Sequence, residues 1–209
     1  PLIRPERGYR MPVRLDYRLI ERYIEPGSRV LDLGCGSGEL LEVLIREKDV
    51  DGIGIDVDPE SAQECVRRGV PHYHGDMMEG MAMFGDNSFD VVVLSQTLQQ
   101  TMEPATVLRE MLRVGKKAVI SFPNYGYWKV RLQLLLRGKK PVTSLFEQEW
   151  HSTPNIHMIT IKDFLRSCRE WGFQVSDAIY LTAGYSRLPA SLANIMAAMA
   201  IFVLRNDTQ

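Results

Sequence analysis

Cysteine is scarce in this 209-residue chain: Cys35, Cys65 and Cys168 are the only three, and no pair has CxxC spacing. An odd count without close pairs excludes a disulfide ladder and a zinc ribbon, gives no reason to expect a metal, and fits a reducing, cytoplasmic setting. Net charge is also nearly absent. Lys and Arg total 25 against 26 Asp and Glu, for a formal charge of −1. That balance gives no electrostatic ground for nucleic-acid binding. A membrane-spanning run is missing too. The longest apolar-rich stretch, Leu192 to Leu204, is interrupted by Asn194 and is too short for a bilayer. It reads as a buried helix running into a core strand. The opening residues carry Arg4, Arg7, Arg10 and Arg14 and lack the apolar core of a signal peptide.

What remains is ordinary globular composition, with 45% apolar and 24% charged residues. Such a chain can bury a sizeable core unaided, and at about 150 residues per domain it is one domain with spare length. Residues 1–13 are expected as an N-terminal arm of processed, trimmed or cloning-derived origin, with Met11 a candidate start. Residues 14–209 are expected as a single domain.

Strand and helix patterns alternate. Val30–Leu33 is a short apolar run before a glycine cluster, and Glu39–Glu47 follows with helical spacing. Gly52–Asp56 is a second strand. The next helix is punctuated by Asp58 as N-cap, Pro59 in the first turn and Gly69 past the end. Val70–His74 is a third strand, and Phe89–Leu94 a continuous apolar run suited to a strand covered on both faces. Pro104–Arg113 reads as a helix and Lys117–Phe122 as the fifth strand. Thr160 and Asp163 form a capping box for a helix that Gly172 closes. Phe173–Leu181 and Ile201–Leu204 complete the strands. The pattern predicts a doubly wound, mostly parallel α/β sheet. Between Pro123 and Thr160 lie 36 residues where a short connection would suffice. They include a basic helix, Tyr127–Arg137, and read as an insertion, 123–159, forming a lid over the C-terminal edge of the sheet.

The strongest motif is Asp32-Leu-Gly34-Cys-Gly36-Ser-Gly38, joining the first strand to the first helix of the alternation. Glycines permit a tight turn and close ligand approach. The spacing is GxGxG, not the GxGxxG of dinucleotide sites. Asp32 beside it would repel a diphosphate but not a cationic ligand. Asp56, with Val57 next to it, ends the second strand 22 residues after Gly34, where ribose hydroxyls would lie. Gly75-Asp76-Met77 follows the third strand and can recognise adenine, and Ser95 ends the fourth. The glycines could instead be a structural turn, Asp56 a helix cap and Asp76 a turn residue. Taken together, Asp32, Gly34, Gly36, Gly38, Asp56, Val57, Asp76, Met77 and Ser95 read best as a site for S-adenosylmethionine (SAM) or S-adenosylhomocysteine (SAH).

VLDLGCGSG, Asp56, GDMM and FDVVVLSQTLQ resemble the motifs of class I SAM-dependent methyltransferases. Ser121–Phe164, SFPNYGYWKVRLQLLLRGKKPVTSLFEQEWHSTPNIHMITIKDF, is similar to the methionine biosynthesis protein W (MetW) family. With Met11–Asp16 and PGSRVLDLGCG, the resemblance spans nearly the whole chain from Met11. It implies a seven-stranded sheet with an antiparallel last strand. It also implies cooperation with a homoserine O-acyltransferase in methionine biosynthesis.

The usual catalytic aids are missing. No Asp/Asn-Pro-Pro-aromatic segment follows the fourth strand, where Ser95-Gln96-Thr97 stands, and no Pro-Cys dipeptide exists. Gln99 and Gln100 stand where many small-molecule methyltransferases carry a His. His151 and His157 are the remaining base candidates, against the preferred reading that they satisfy loop carbonyls. Tyr125, Tyr127, Trp128 and Trp150 either wall a substrate pocket or pack the insertion. Lys129, Arg131, Arg137, Lys139 and Lys140 form a solvated face or a surface for an acidic partner. Two functions stay open: a regulatory SAM/SAH binder, or a methyltransferase for a small molecule.

Overall fold

The computed structural model describes residues 15–143, 146 and 148–205. The expected arm, 1–13, lies outside them. Among the described residues eight strands form one sheet in the order β3-β2-β1-β4-β5-β8-β6-β7. They are β1 Arg29–Leu33, β2 Asp51–Asp56, β3 His72–His74, β4 Val91–Ser95, β5 Lys117–Pro123, β6 Gln174–Leu181, β7 Arg187–Leu188 and β8 Met199–Arg205. Strands β1 to β5 pair in parallel, and β8 lies antiparallel between β5 and β6. Seven strands were expected. The eighth, β7, is a two-residue edge that turns back on β6 through Thr182 and Ser186 before Pro189 opens a helix.

The helices are α1 Leu15–Ile20, α2 Glu39–Lys48, α3 Pro59–Arg68, α4 Met77–Ala82, α5 Pro104–Val114, α6 Trp128–Arg137, α7 Ile161–Trp171 and α8 Ala190–Met196. Alternation along the strands divides the interior into two cores. Leu31, Leu33, Val92, Leu94, Ile120 and Phe202 face one side, under α4, α5 and α7. Val30, Val91, Val93, Val119, Ile201 and Val203 face the other, under α1, α2 and α3. A central strand covered on both faces must be apolar at every position, which explains the uninterrupted run before Ser95. The expected helix caps form. Asp58 accepts from Glu60 N and Ser61 N, and Thr160 Oγ1 accepts from Asp163 N. Each such cap stabilises its helix by about 1 kcal/mol.

One expectation changes near the C-terminus. The Leu192–Leu204 stretch does run from a helix into a core strand, but that helix is not buried. Within α8 only Ala193 is buried, while Leu192 and Ile195 are each 52% exposed. Apolar content alone does not separate a core helix from one with an unpartnered face.

The strand ends are tied by charge at one point. Lys116 Nζ donates to Asp90 Oδ1 at 2.7 Å and Arg29 N to Oδ2 at 2.9 Å. Lys116 first, then the Arg29 amide, holds the Asp90 carboxyl below the ordinary carboxylate range. A depressed folded value means stabilisation present above the unfolded pKa and lost as pH falls through the folded one. Asp90→Asn should therefore cost no more than about 1 kcal/mol at neutral pH, given solvent screening. Denaturation curves of the two proteins should converge as pH drops below the usual carboxylate range.

Candidate functional site

A cavity of ≈ 720 Å³ opens at the C-terminal edge of the parallel strands. That size lies within the roughly 300–1,000 Å³ of small-ligand sites. One wall comes from the strand ends: Gly34 after β1, Asp56 and Val57 after β2, Asp76 and Met77 after β3, Ser95 after β4. Six of the nine residues picked from sequence thus meet at one cavity. The other three do not line it. Gly36 and Gly38 lie further along the loop, and Asp32 is buried within β1 at 2% exposure.

The glycine loop has a physical reason for its composition. Gly34 has φ +66°, and a Cβ there would stand 2.5 Å from Thr97 Oγ1. The missing side chain lets the turns after β1 and β4 approach. Gly36 also has positive φ, +52°, and no atom lies within 4 Å of where its Cβ would be. Asp56 secures the loop from β2. Its Oδ2 accepts from Gly36 N at 2.8 Å and its Oδ1 from Asp58 N at 2.9 Å. Each oxygen retains a lone pair for a further donor, so the carboxylate is oriented and still able to accept.

Asp76 caps α4, a short helix not foreseen from sequence, by accepting from Met78 N at 2.7 Å. The residue is exposed and lines the cavity. The turn-type reading and the ligand-facing position therefore coexist. Ser95 Oγ lies 3.1 Å from Ser121 Oγ, and the Val57 carbonyl is 3.0 Å from His74 Nε2.

The opposite wall was missed by sequence reasoning. It comprises Gln96, Thr97, Gln100, Thr101, Met102 and Glu103, from the segment between β4 and α5. Gln96 has φ +55°, unusual for a residue with a Cβ. Its side-chain amide donates to buried Asp16 of α1 at 3.0 Å. No periodic pattern announces such a wall. Gln96 and Thr97 did fall in the FDVVVLSQTLQ motif and Gln100 at a position often held by His, but none of them was picked for the site.

Among the described lining residues the ionisable side chains are Asp56, Asp76 and Glu103; none is His, Lys, Cys or Tyr. His151 is exposed and packs edge-on to Trp150 outside the cavity. His157 Nε2 lies 3.0 Å from the Thr101 carbonyl, and its backbone N donates to Gln99 O. Neither lines the cavity. Burial, then Asp32, pushes the Cys35 thiol well above its usual range, so it is no ready nucleophile.

The described residues of the insertion pack beside the site without lining the cavity. Tyr127, Val130 and Phe146 form a small core with Ala198, against which Tyr125 packs. Trp128 and Trp150 are exposed. Asn124 anchors the insertion's start. It is fully buried, donates to the Asn194 and Ala197 carbonyls, and accepts from Gly126 N and Ile161 N. Helix α6 buries only Val130 and exposes Leu132, Leu134, Leu135 and Leu136.

A mostly parallel sheet with this strand order and a ligand-sized cavity at the C-terminal edge of its parallel strands defines a class I SAM methyltransferase-like fold. A SAM-dependent methyltransferase from Archaeoglobus fulgidus superposes with a TM-score of 0.67, covering 92% of each chain at 15% identity. Within that class, residues 14–204 match the model of methionine biosynthesis protein MetW, and the chain belongs to that family. A bifunctional methionine biosynthesis protein MetXA/MetW from Rhodopirellula baltica is 36% identical over 160 residues, 72% of this chain. A ribosomal protein L11 methyltransferase from Burkholderia vietnamiensis is 34% identical over 116 residues, 54% of this chain. The chain covers 26% of the first relative's length and 38% of the second's. Among the described residues no helix is long and apolar enough to cross a membrane.

Proposed function

We propose that the chain is a SAM- or SAH-binding accessory protein of methionine biosynthesis that regulates a homoserine O-acyltransferase. The observation that carries this is a cavity furnished for recognition but poor in catalysts. Asp56 offers a bidentate acceptor for vicinal hydroxyls. Asp76 and the neighbouring backbone offer hydrogen bonds to a base, with Met77 against its face. Both carboxylates are already tied to backbone amides, which suits binding more than proton transfer.

The donor set fits an adenosyl ligand, and SAM bound there would supply an electrophilic methyl group. A regulator needs no acceptor for that methyl. It needs a ligand that favours one state of a complex over another. The relative named as a bifunctional methionine biosynthesis protein MetXA/MetW supports a partner within the same pathway. The exposed leucines of α6 offer a surface for it, since contiguous exposed apolar groups mark interaction sites.

The second reading is a small-molecule methyltransferase, favoured by Glu103. It is exposed on the cavity wall, with Thr106 Oγ1 donating to it at 3.0 Å. Incubation with methyl-labelled SAM and a metabolite extract separates the two. The regulatory reading expects bound SAM and no labelled product. Label in a product, abolished by Glu103→Gln, would establish the methyltransferase instead.

A further inference from the structure

Cys35, Cys65 and His72 come from the glycine loop, α3 and β3 and meet in one cluster, and none of the three lines the cavity. Each offers one ligating atom, and the three atoms lie within 4.8 Å of one another. The two Sγ atoms are 4.0 Å apart. Both cysteines are buried. His72 Nε2 is shielded from solvent and makes no hydrogen bond, although a ring nitrogen in that position ordinarily finds a partner.

We propose that these three side chains bind a thiophilic cation of filled d shell, for which zinc(II) is the best fit. Zinc–sulfur bonds of about 2.3 Å place two sulfurs of a tetrahedral site roughly 3.8 Å apart. The observed separation needs only a small adjustment. Two sulfurs and one imidazole form a soft donor set that discriminates against magnesium and calcium. Loading exchanges two thiol protons, released to solvent, for two sulfur–metal bonds, and the two thiolates balance the dication. The carboxylates of Asp32 and Asp56 act electrostatically on both sulfurs. That negative field opposes free thiolates but attracts a cation. Cys35 lies between Gly34 and Gly36, so the ion would clamp the glycine loop to α3 and the edge strand β3.

The cysteine count gave no reason to expect a metal, because these ligands are 30 and 7 residues apart in sequence. Only the pairing of β2 with β3, and the packing of α3 beneath the loop, bring them together.

The test uses the full chain, stripped of metal and kept reduced, titrated with zinc(II) against a chromophoric chelator, with cobalt(II) as spectroscopic probe. One zinc per chain is expected, with thiolate-to-cobalt charge-transfer absorption and a higher melting temperature on zinc addition. Cys65→Ser and His72→Gln should each weaken binding by more than the ~10–100-fold that loss of an outer-shell partner costs. Cys168→Ser removes the cysteine on the opposite face of the sheet and should bind zinc as wild type does. Melting of the metal-free variants shows which are folded, and His72→Gln decides if Cys65→Ser is not. No binding by the wild type, undiminished binding by folded His72→Gln, or equal loss in Cys168→Ser would each overturn the proposal.

Discussion

Asp56→Ala should abolish SAM and SAH binding at concentrations that saturate the wild type. Hydrogen bonds to a charged group contribute about 1.5–3 kcal/mol each. Two ribose contacts would therefore account for roughly two to four orders of magnitude in affinity. The same carboxylate holds Gly36 N at 2.8 Å and Asp58 N at 2.9 Å, so its removal also loosens the loop and the start of α3. Asp56→Asn separates the effects, because its single carbonyl can keep one of the two amide contacts while the charge is lost. Calorimetry on both variants, with melting curves alongside, checks this. Wild-type affinity in a folded Asp56→Ala protein would remove Asp56 from the site.

Asn124→Ala should be the most destabilising substitution at the insertion, by about 3–5 kcal/mol in urea denaturation. All four hydrogen bonds of the buried amide are used, at 3.2, 2.8, 2.8 and 3.3 Å. Truncation leaves two carbonyls and two amide N–H groups without this partner, in a place water reaches poorly. The loss approaches the whole stability of a marginal domain, about 5–15 kcal/mol. Asn124 joins the end of β5, the start of α7 and the end of α8, so the insertion should detach before the sheet unfolds. A cost below about 1 kcal/mol would mean that water replaces the side chain without penalty.

The fold was legible because its determinants are local. The apolar runs of β1, β4 and β5, the Asp58 and Thr160 caps and the terminal glycines Gly69 and Gly172 each act within a few residues. Strand ends marked by Gly34, Asp56, Asp76 and Ser95 then placed one wall of the cavity, because parallel strands put their C-terminal ends at one edge. The other wall was illegible. Gln96 has a left-handed backbone, and its side-chain amide donates to Asp16, 80 residues earlier in the chain. Asn124 likewise acts through carbonyls 70 and 73 residues away. Such contacts leave no periodic trace. The aromatics of the insertion were equally ambiguous, since packing and ligand contact call for the same residue types. Tyr125 and Tyr127 pack, whereas Trp128 and Trp150 stay exposed.

The regulatory account rests most directly on the rate of homoserine acylation by the cognate acyltransferase, measured with increasing amounts of this chain and with SAM or SAH present or absent. The account predicts a rate that changes saturably with the chain, responds to at least one of the two ligands, and loses that response with Asp56→Ala. A rate indifferent to the chain under all of these conditions, with no complex formed, would contradict it.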